Sequence, residues 1–149
     1  MASSTIHASA ILVGAKAVLI RGPSGSGKSR LVWDLLEAAA QGALPFARLV
    51  ADDRAFVEVK NGRLLVRPAP QLAGMMEVHG LGIRRLDYEP VALVGLVVDL
   101  ADADAARIPA EEIQVVQFDG VTIPRLLVAI GTNALPLVLA SMRTTAKVD

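Results

Sequence analysis

Short apolar runs alternate with turn-forming clusters along most of the chain, and two segments carry helical spacing instead. Thr5 to Val13 is apolar and rich in β-formers, Gly14-Ala15-Lys16 punctuates it, and Ala17 to Arg21 returns as a short strand. The pair reads as a hairpin that feeds a glycine-rich loop over Gly22 to Gly27. From Lys28 to about Gln41 the apolar residues Leu31, Leu35, Leu36, Ala38 and Ala39 recur at helical spacing, and Gly42 supplies a stop.

Arg48 to Ala51 predicts a short strand ending in Asp52-Asp53. Arg54 to Val59 alternates, Asn61-Gly62 is a type I′ turn signal, and Arg63 to Arg67 is the returning strand. Pro68-Ala69-Pro70 breaks the pattern, and Gln71 to Met76 predicts one or two helical turns. Glu77 to Ile83 reads as a strand end followed by a loop shaped by Gly80 and Gly82. Val91 to Leu100 is a core strand by composition, and Ala101 to Ala110 an acidic surface linker. Ile113 to Phe118 and Val121 to Pro124 flank Asp119-Gly120 as a further hairpin. Asn133 is placed to cap a last helix from Ala134 to about Thr144, with Pro136 in its first turn. Three hairpin-like units and only two or three helices point to α/β on a mixed sheet. A regular doubly wound parallel sheet would need more crossover helices.

Composition narrows this. The 149 residues fit one domain, expected over residues 1–149, since domains commonly run to ~100–150 residues. Hydrophobic residues reach 53% and charged residues only 20%, which excludes a mainly disordered chain. Fifteen Lys and Arg balance fifteen Asp and Glu. No nucleic-acid partner is expected, because such readers carry a basic face. Zero net charge also removes the repulsion between copies and favours self-association. Cysteine is absent, so disulfides, thiolate metal sites and cysteine nucleophiles are excluded. The first residues lack a basic segment followed by an apolar one, and the longest apolar run, Val91 to Val98, falls short of the ~20 residues of a membrane span. The expectation is a cytoplasmic protein without a membrane partner.

Gly22-Pro23-Ser24-Gly25-Ser26-Gly27-Lys28-Ser29 fills every fixed position of G-x-x-x-x-G-K-[ST]. Glycines let the backbone curl so that successive N–H groups face a phosphate, and the helix N-terminus adds positive potential there. Lys28 supplies a mobile charge for β and γ phosphates, and Ser29 a hydroxyl for Mg²⁺. Asp52 and Asp53 follow an apolar strand, where carboxyl ends gather around a nucleotide. Two adjacent acids can divide the work of holding a metal and accepting a proton, and their order does not say which does which. His7 is a candidate partner for an aspartate across the sheet, and Glu77 for a second metal-linked carboxylate or a holder of loop amides. These residues leave open a kinase or NTPase of unspecified acceptor and a nucleotide-sensing interaction module.

Four motifs in order resemble the catalytic domain of HPr kinase/phosphorylase, in the compact form of alphaproteobacteria. They are Ile6-His7-Ala8-Ser9-Ala10, the phosphate loop, Leu49-Val50-Ala51-Asp52-Asp53-Arg54, and Glu77-Val78-His79-Gly80-Leu81-Gly82-Ile83. The resemblance implies a fold related to the nucleotide domain of phosphoenolpyruvate carboxykinase. It implies an ATP- and Mg²⁺-dependent kinase acting on a serine of the phosphocarrier HPr, with phosphorolysis as the reverse reaction and regulation of a phosphotransferase system as its setting. It implies Asp52 as general base, His7 tuning it, Asp53 and Glu77 supporting Mg²⁺ with Ser29, and a hexamer. The chain departs from that family at Arg30, where an acid is usual, at His79, where arginine is usual, and across Arg125 to Asn133, where an arginine-rich loop is usual.

Overall fold

The computed structural model describes residues 4–147. It contains eleven strands: β1 (Ser4–Ile6), β2 (Ala8–Val13), β3 (Lys16–Arg21), β4 (Ala47–Ala51), β5 (Ala55–Lys60), β6 (Arg63–Pro68), β7 (Met75–Val78), β8 (Gly82–Arg85), β9 (Ala92–Asp99), β10 (Val115–Phe118) and β11 (Val121–Leu127). Two α-helices, α1 (Lys28–Ala40) and α2 (Ala134–Arg143), accompany them.

The main sheet runs β1-β5-β6-β9-β3-β2-β4, with β11 paired to β9 and β10 to β11. The β3–β9 and β9–β11 pairs are parallel and the others antiparallel, so the sheet is mixed, as the sequence predicts. The sheet curls until β5 packs on β2 and β4 on β6. Alternation along the strands sorts side chains between two cores. Ala8, Ala10, Ala17 and Leu19 join Val57, Val66 and Val97 inside the curl. Ile11, Val18 and Ile20 take the other face, under Leu31, Val32 and Leu35 of α1 and Val138 of α2.

The helix boundaries are local chemistry. Past α1, Gly42 takes φ +84°, and the N–H groups of Gly42 and Ala43 return to Ala39 and Ala38 carbonyls, the hydrogen-bond pattern of a glycine-terminated Schellman motif. Asn133 Oδ1 accepts from Leu135 N–H at the start of α2. No helix among the described residues is long and apolar enough to cross a membrane.

The strand read over Thr5 to Val13 is broken at residue 7, Gly82 and Ile83, read as loop, begin β8, and two further segments depart from the sequence reading. Residues 71–76 are helical only at their start: a single 3-10 turn, Pro70–Leu72, gives way to β7. Gly74 takes φ +75° with the Tyr88 ring close enough to meet any Cβ at 2.9 Å, and Met76 is 1% exposed in the helix-side core. Burial of Met76 and pairing of β7 with β8 override the local helix propensity. The second departure is β11, which continues past Pro124 to Leu127. Pro124 lies opposite Val115, and pairing with β9 begins only at Arg125, so the missing proline N–H costs no ladder bond to β9.

Candidate functional site

The connectivity brings the candidate residues to one end of the sheet. Strand β2 is antiparallel to both β3 and β4, so the carboxyl ends of β3 and β4 point the same way, flanking the start of β2. Strand β9, parallel to β3, ends there too, with Asp99 opposite Arg21. The phosphate loop leaves β3 at this end and Asp52 follows β4 at it.

A cleft of about 1140 Å³ opens between the loop, the strand ends and the β7–β8 hairpin. Lys28, Ser29, Asp52, Asp53 and Glu77 all line it, as do Ser24, Gly25 and Gly27. Asp52 is 8% exposed and its carboxylate takes three hydrogen bonds. Ser29 Oγ donates to Oδ1 at 2.6 Å, Ser9 Oγ donates to the same oxygen at 2.9 Å, and the Glu77 N–H donates to Oδ2 at 3.2 Å. Asp53 is exposed in the cleft with φ +64°, and its N–H donates to Ser9 Oγ at 3.0 Å. A second cavity, about 180 Å³, lies across the loop between Gly25, Ser26, Leu100 and Ala101 and the Val128–Thr132 segment.

The loop itself suits a phosphate ligand. Lys28 is 6% exposed and its ammonium donates to the loop's own carbonyls, Gly22 O at 2.9 Å and Pro23 O at 3.2 Å. Ser26 Oγ is buried with no hydrogen-bond partner, an arrangement that costs free energy until a ligand supplies one. Gly22 is required by close approach: a Cβ there would stand 2.5 Å from Ser26 Oγ and 3.1 Å from Leu100 Cβ. Among the described residues no group of three or more His, Cys, Asp or Glu forms a ready metal cage. The donors present are hydroxyl and carboxylate oxygens, which fit a hard cation that keeps phosphate and water among its ligands, as Mg²⁺ does.

Other expectations resolve differently. His7 is exposed at the bend between β1 and β2 and does not line the cleft; Ser9, not His7, hydrogen-bonds Asp52. The bend breaks the strand at residue 7, so the alternation that carries Ser9 toward Asp52 does not extend back to His7. Asp99 is engaged in a clasp: Arg21 grips it bidentately at 2.7 and 2.8 Å, and Arg125 approaches at 3.6 Å. The Arg21 guanidinium also stacks 5.6 Å from the Phe118 ring centroid. This cluster ties β3, β9 and β11 together beneath the loop. Arg30 lines the cleft, 3.4 Å from Asp34 one turn on. Sequence reasoning missed Ser9 as a site residue; the available signal was a hydroxyl inside an otherwise apolar strand that abuts the phosphate loop.

Fold and cleft together define an α/β protein that carries a glycine-rich phosphate loop beside a strand-end aspartate. The family follows from comparison with known proteins. Residues 1–135 match the family model described as the HPr Serine kinase C-terminal domain, and the chain belongs to that family. An HPr kinase/phosphorylase of Neisseria meningitidis is 31% identical across 95% of this chain and 47% of its own length. That of Limosilactobacillus reuteri is 36% identical across 53% of this chain and 23% of its own. The chain thus spans about half the length of the Neisseria relative it matches. A solved structure, the Hpr(Ser) kinase/phosphatase from Coxiella burnetii, superimposes with a TM-score of 0.72 at 23% identity, covering 94% of this chain and 88% of that one. That likeness establishes the fold.

Proposed function

We propose that this chain is the catalytic domain, over residues 1–149, of an ATP- and Mg²⁺-dependent kinase that phosphorylates a serine of the phosphocarrier HPr and, in reverse, dephosphorylates it with inorganic phosphate. The observation that carries the reading is the Ser29–Asp52 contact, 2.6 Å, which sets a buried carboxylate against the residue that ends the phosphate loop. The names of the curated relatives supply the substrate and the reaction.

The loop amides and the start of α1 hold the phosphates of ATP. Lys28 gives up Gly22 O and Pro23 O and turns its charge to the β and γ phosphates. Mg²⁺, when bound, neutralises charge on those phosphates, and Ser29, Asp53 and Glu77 are the residues that would hold it. Asp52 accepts the seryl proton as the serine oxygen forms its bond to the γ phosphorus and the bond to the β–γ bridging oxygen breaks, releasing ADP. In reverse, inorganic phosphate takes the phosphoryl group from phosphoserine, Asp52 returns the proton to the serine oxygen, and pyrophosphate leaves. A homo-oligomer, hexameric as the resemblance implies, and a cytoplasmic setting belong to the same proposal. Exposed Leu81 (66%) and Ile130 (76%) offer apolar surface for such assembly.

The test is incubation of the protein with ATP, Mg²⁺ and its cognate HPr, read as a mass gain of one phosphoryl group on HPr. The gain is expected with the native chain and not with Lys28→Ala. Its absence across a range of Mg²⁺ concentrations overturns the substrate assignment.

A further inference from the structure

We propose that Ser9 is a positioning residue of this site, one whose hydroxyl couples the two aspartates and keeps the Asp52 carboxylate in place when Ser29 turns to its ligand. The proposal rests on the phosphoryl-transfer reading above and deepens it.

Ser9 is 0% exposed on β2, whose neighbours Ala8, Ala10 and Ile11 are all apolar and equally buried. A buried hydroxyl is costly unless it is paired. This one is paired in both senses: it donates to Asp52 Oδ1 at 2.9 Å and accepts from the Asp53 N–H at 3.0 Å. It is therefore the side chain that links the two acids. The second bond supports a backbone that needs support, because Asp53 holds φ +64°, a conformation L residues adopt at a cost.

Asp52 Oδ1 takes two hydroxyl bonds, and they have different fates. The Ser29 hydroxyl is the one the phosphate-loop motif assigns to the metal, so it leaves Oδ1 when nucleotide and metal bind. Ser9 has no such task and is fully buried on β2, between β3 and β4. Once Ser29 departs, Ser9 on Oδ1 and the Glu77 N–H on Oδ2 hold one carboxylate oxygen each. The lone pair freed on Oδ1 then faces the space that Ser29 vacated, which is where an acceptor hydroxyl must approach. Without Ser9, Oδ1 keeps no protein donor and the carboxylate is free to rotate about its terminal torsion. Placement on a rigid strand suits this role, since small displacements of a catalytic group cost rate steeply.

Three substitutions separate this role from packing. Ser9→Thr and Ser9→Val share a shape and differ in the hydroxyl, while Ser9→Ala is smaller than serine and fits without strain. With saturating ATP and Mg²⁺, kcat for HPr phosphorylation is expected to fall about 10- to 100-fold in the Val and Ala proteins. KM for HPr is expected to stay unchanged, and the Thr protein to remain within about threefold of native. Native kcat in the Ala protein, or equal losses in Thr and Val, overturns the proposal. If the native chain fails to phosphorylate HPr at all, the proposed function fails, and crystal structures decide the Ser9 claim separately. With Mg²⁺ and a non-hydrolysable ATP analogue, the native chain should keep the Ser9–Asp52 bond after Ser29 has left. The Ala protein should show Asp52 rotated and Asp53 released from its left-handed conformation. Unaltered Asp52 and Asp53 in that structure would refute the coupling.

Discussion

The hydroxyl of Ser29 lies 2.6 Å from Oδ1 of Asp52, and this one contact joins the phosphate loop to a strand end 23 residues along the chain. It joins the loop, which any phosphate binder can carry, to a buried carboxylate.

Replacing that acceptor separates binding from transfer. Asp52→Asn keeps the volume and an oxygen for Ser9 and Ser29 but removes the charge. Phosphoryl transfer to HPr is expected to fall by about 10²- to 10⁴-fold. Affinity for ATP, measured by calorimetry, should change only a few-fold, because the proposed role of Asp52 is on the acceptor side.

Lys28→Ala acts on the other partner. Its ammonium is held by two loop carbonyls and is the nearest mobile charge for the phosphates. Transfer is expected to drop about 100-fold or more, with weakened ATP binding in the same calorimetric experiment. The loss of the carbonyl bonds should cost about 1 kcal/mol of stability, read from denaturant midpoints.

Metal dependence provides a third check. The proposed Mg²⁺ would be held by Ser29, Asp53 and Glu77 together with the nucleotide's phosphates. A chelator should abolish transfer, and restored Mg²⁺ should recover it. Ser29→Ala should raise the Mg²⁺ concentration for half-maximal activity about tenfold, while the folded state survives.

The Asp99 clasp predicts a stability defect instead. The Asp99 side chain is 12% exposed between Arg21 and Arg125. Asp99→Ala strips the Arg21 guanidinium of both its hydrogen bonds, while Arg125 keeps its bond to Ile113 O. The expected loss is about 3 kcal/mol, at the low end for a broken buried pair because Arg21 retains 30% side-chain exposure. Urea unfolding measures it directly.

Much of the architecture was legible because local chemistry encodes it. The Gly22–Ser29 motif, the Asn61-Gly62 turn, the helix stop at Gly42 and the Asn133 cap each depend on a few adjacent residues, and each stands where the pattern puts it. Lys28, Ser29, Asp52, Asp53 and Glu77 meet in one cleft, as the motif and the strand-end acids suggested, through the long-range pairing of β2 with β3 and β4. Gln71 to Met76 shows the reverse. Its composition favours helix, yet only a 3-10 turn forms at its start, and Gly74 against the Tyr88 ring and the burial of Met76 accompany its passage into β7 at Met75.

The sequence by itself determined a mixed α/β fold, a phosphate loop and an acidic pair at a strand end, since periodicity and turn chemistry are properties of neighbouring residues. Only the tertiary structure decided that Ser9 rather than His7 hydrogen-bonds Asp52, that Asp99 is locked between two arginines, and that the Glu77 backbone N–H reaches Asp52. Those outcomes depend on a bend at residue 7 and on pairings between β2, β4, β9 and β11, which bring together groups far apart in the chain. No window of adjacent residues contains that information.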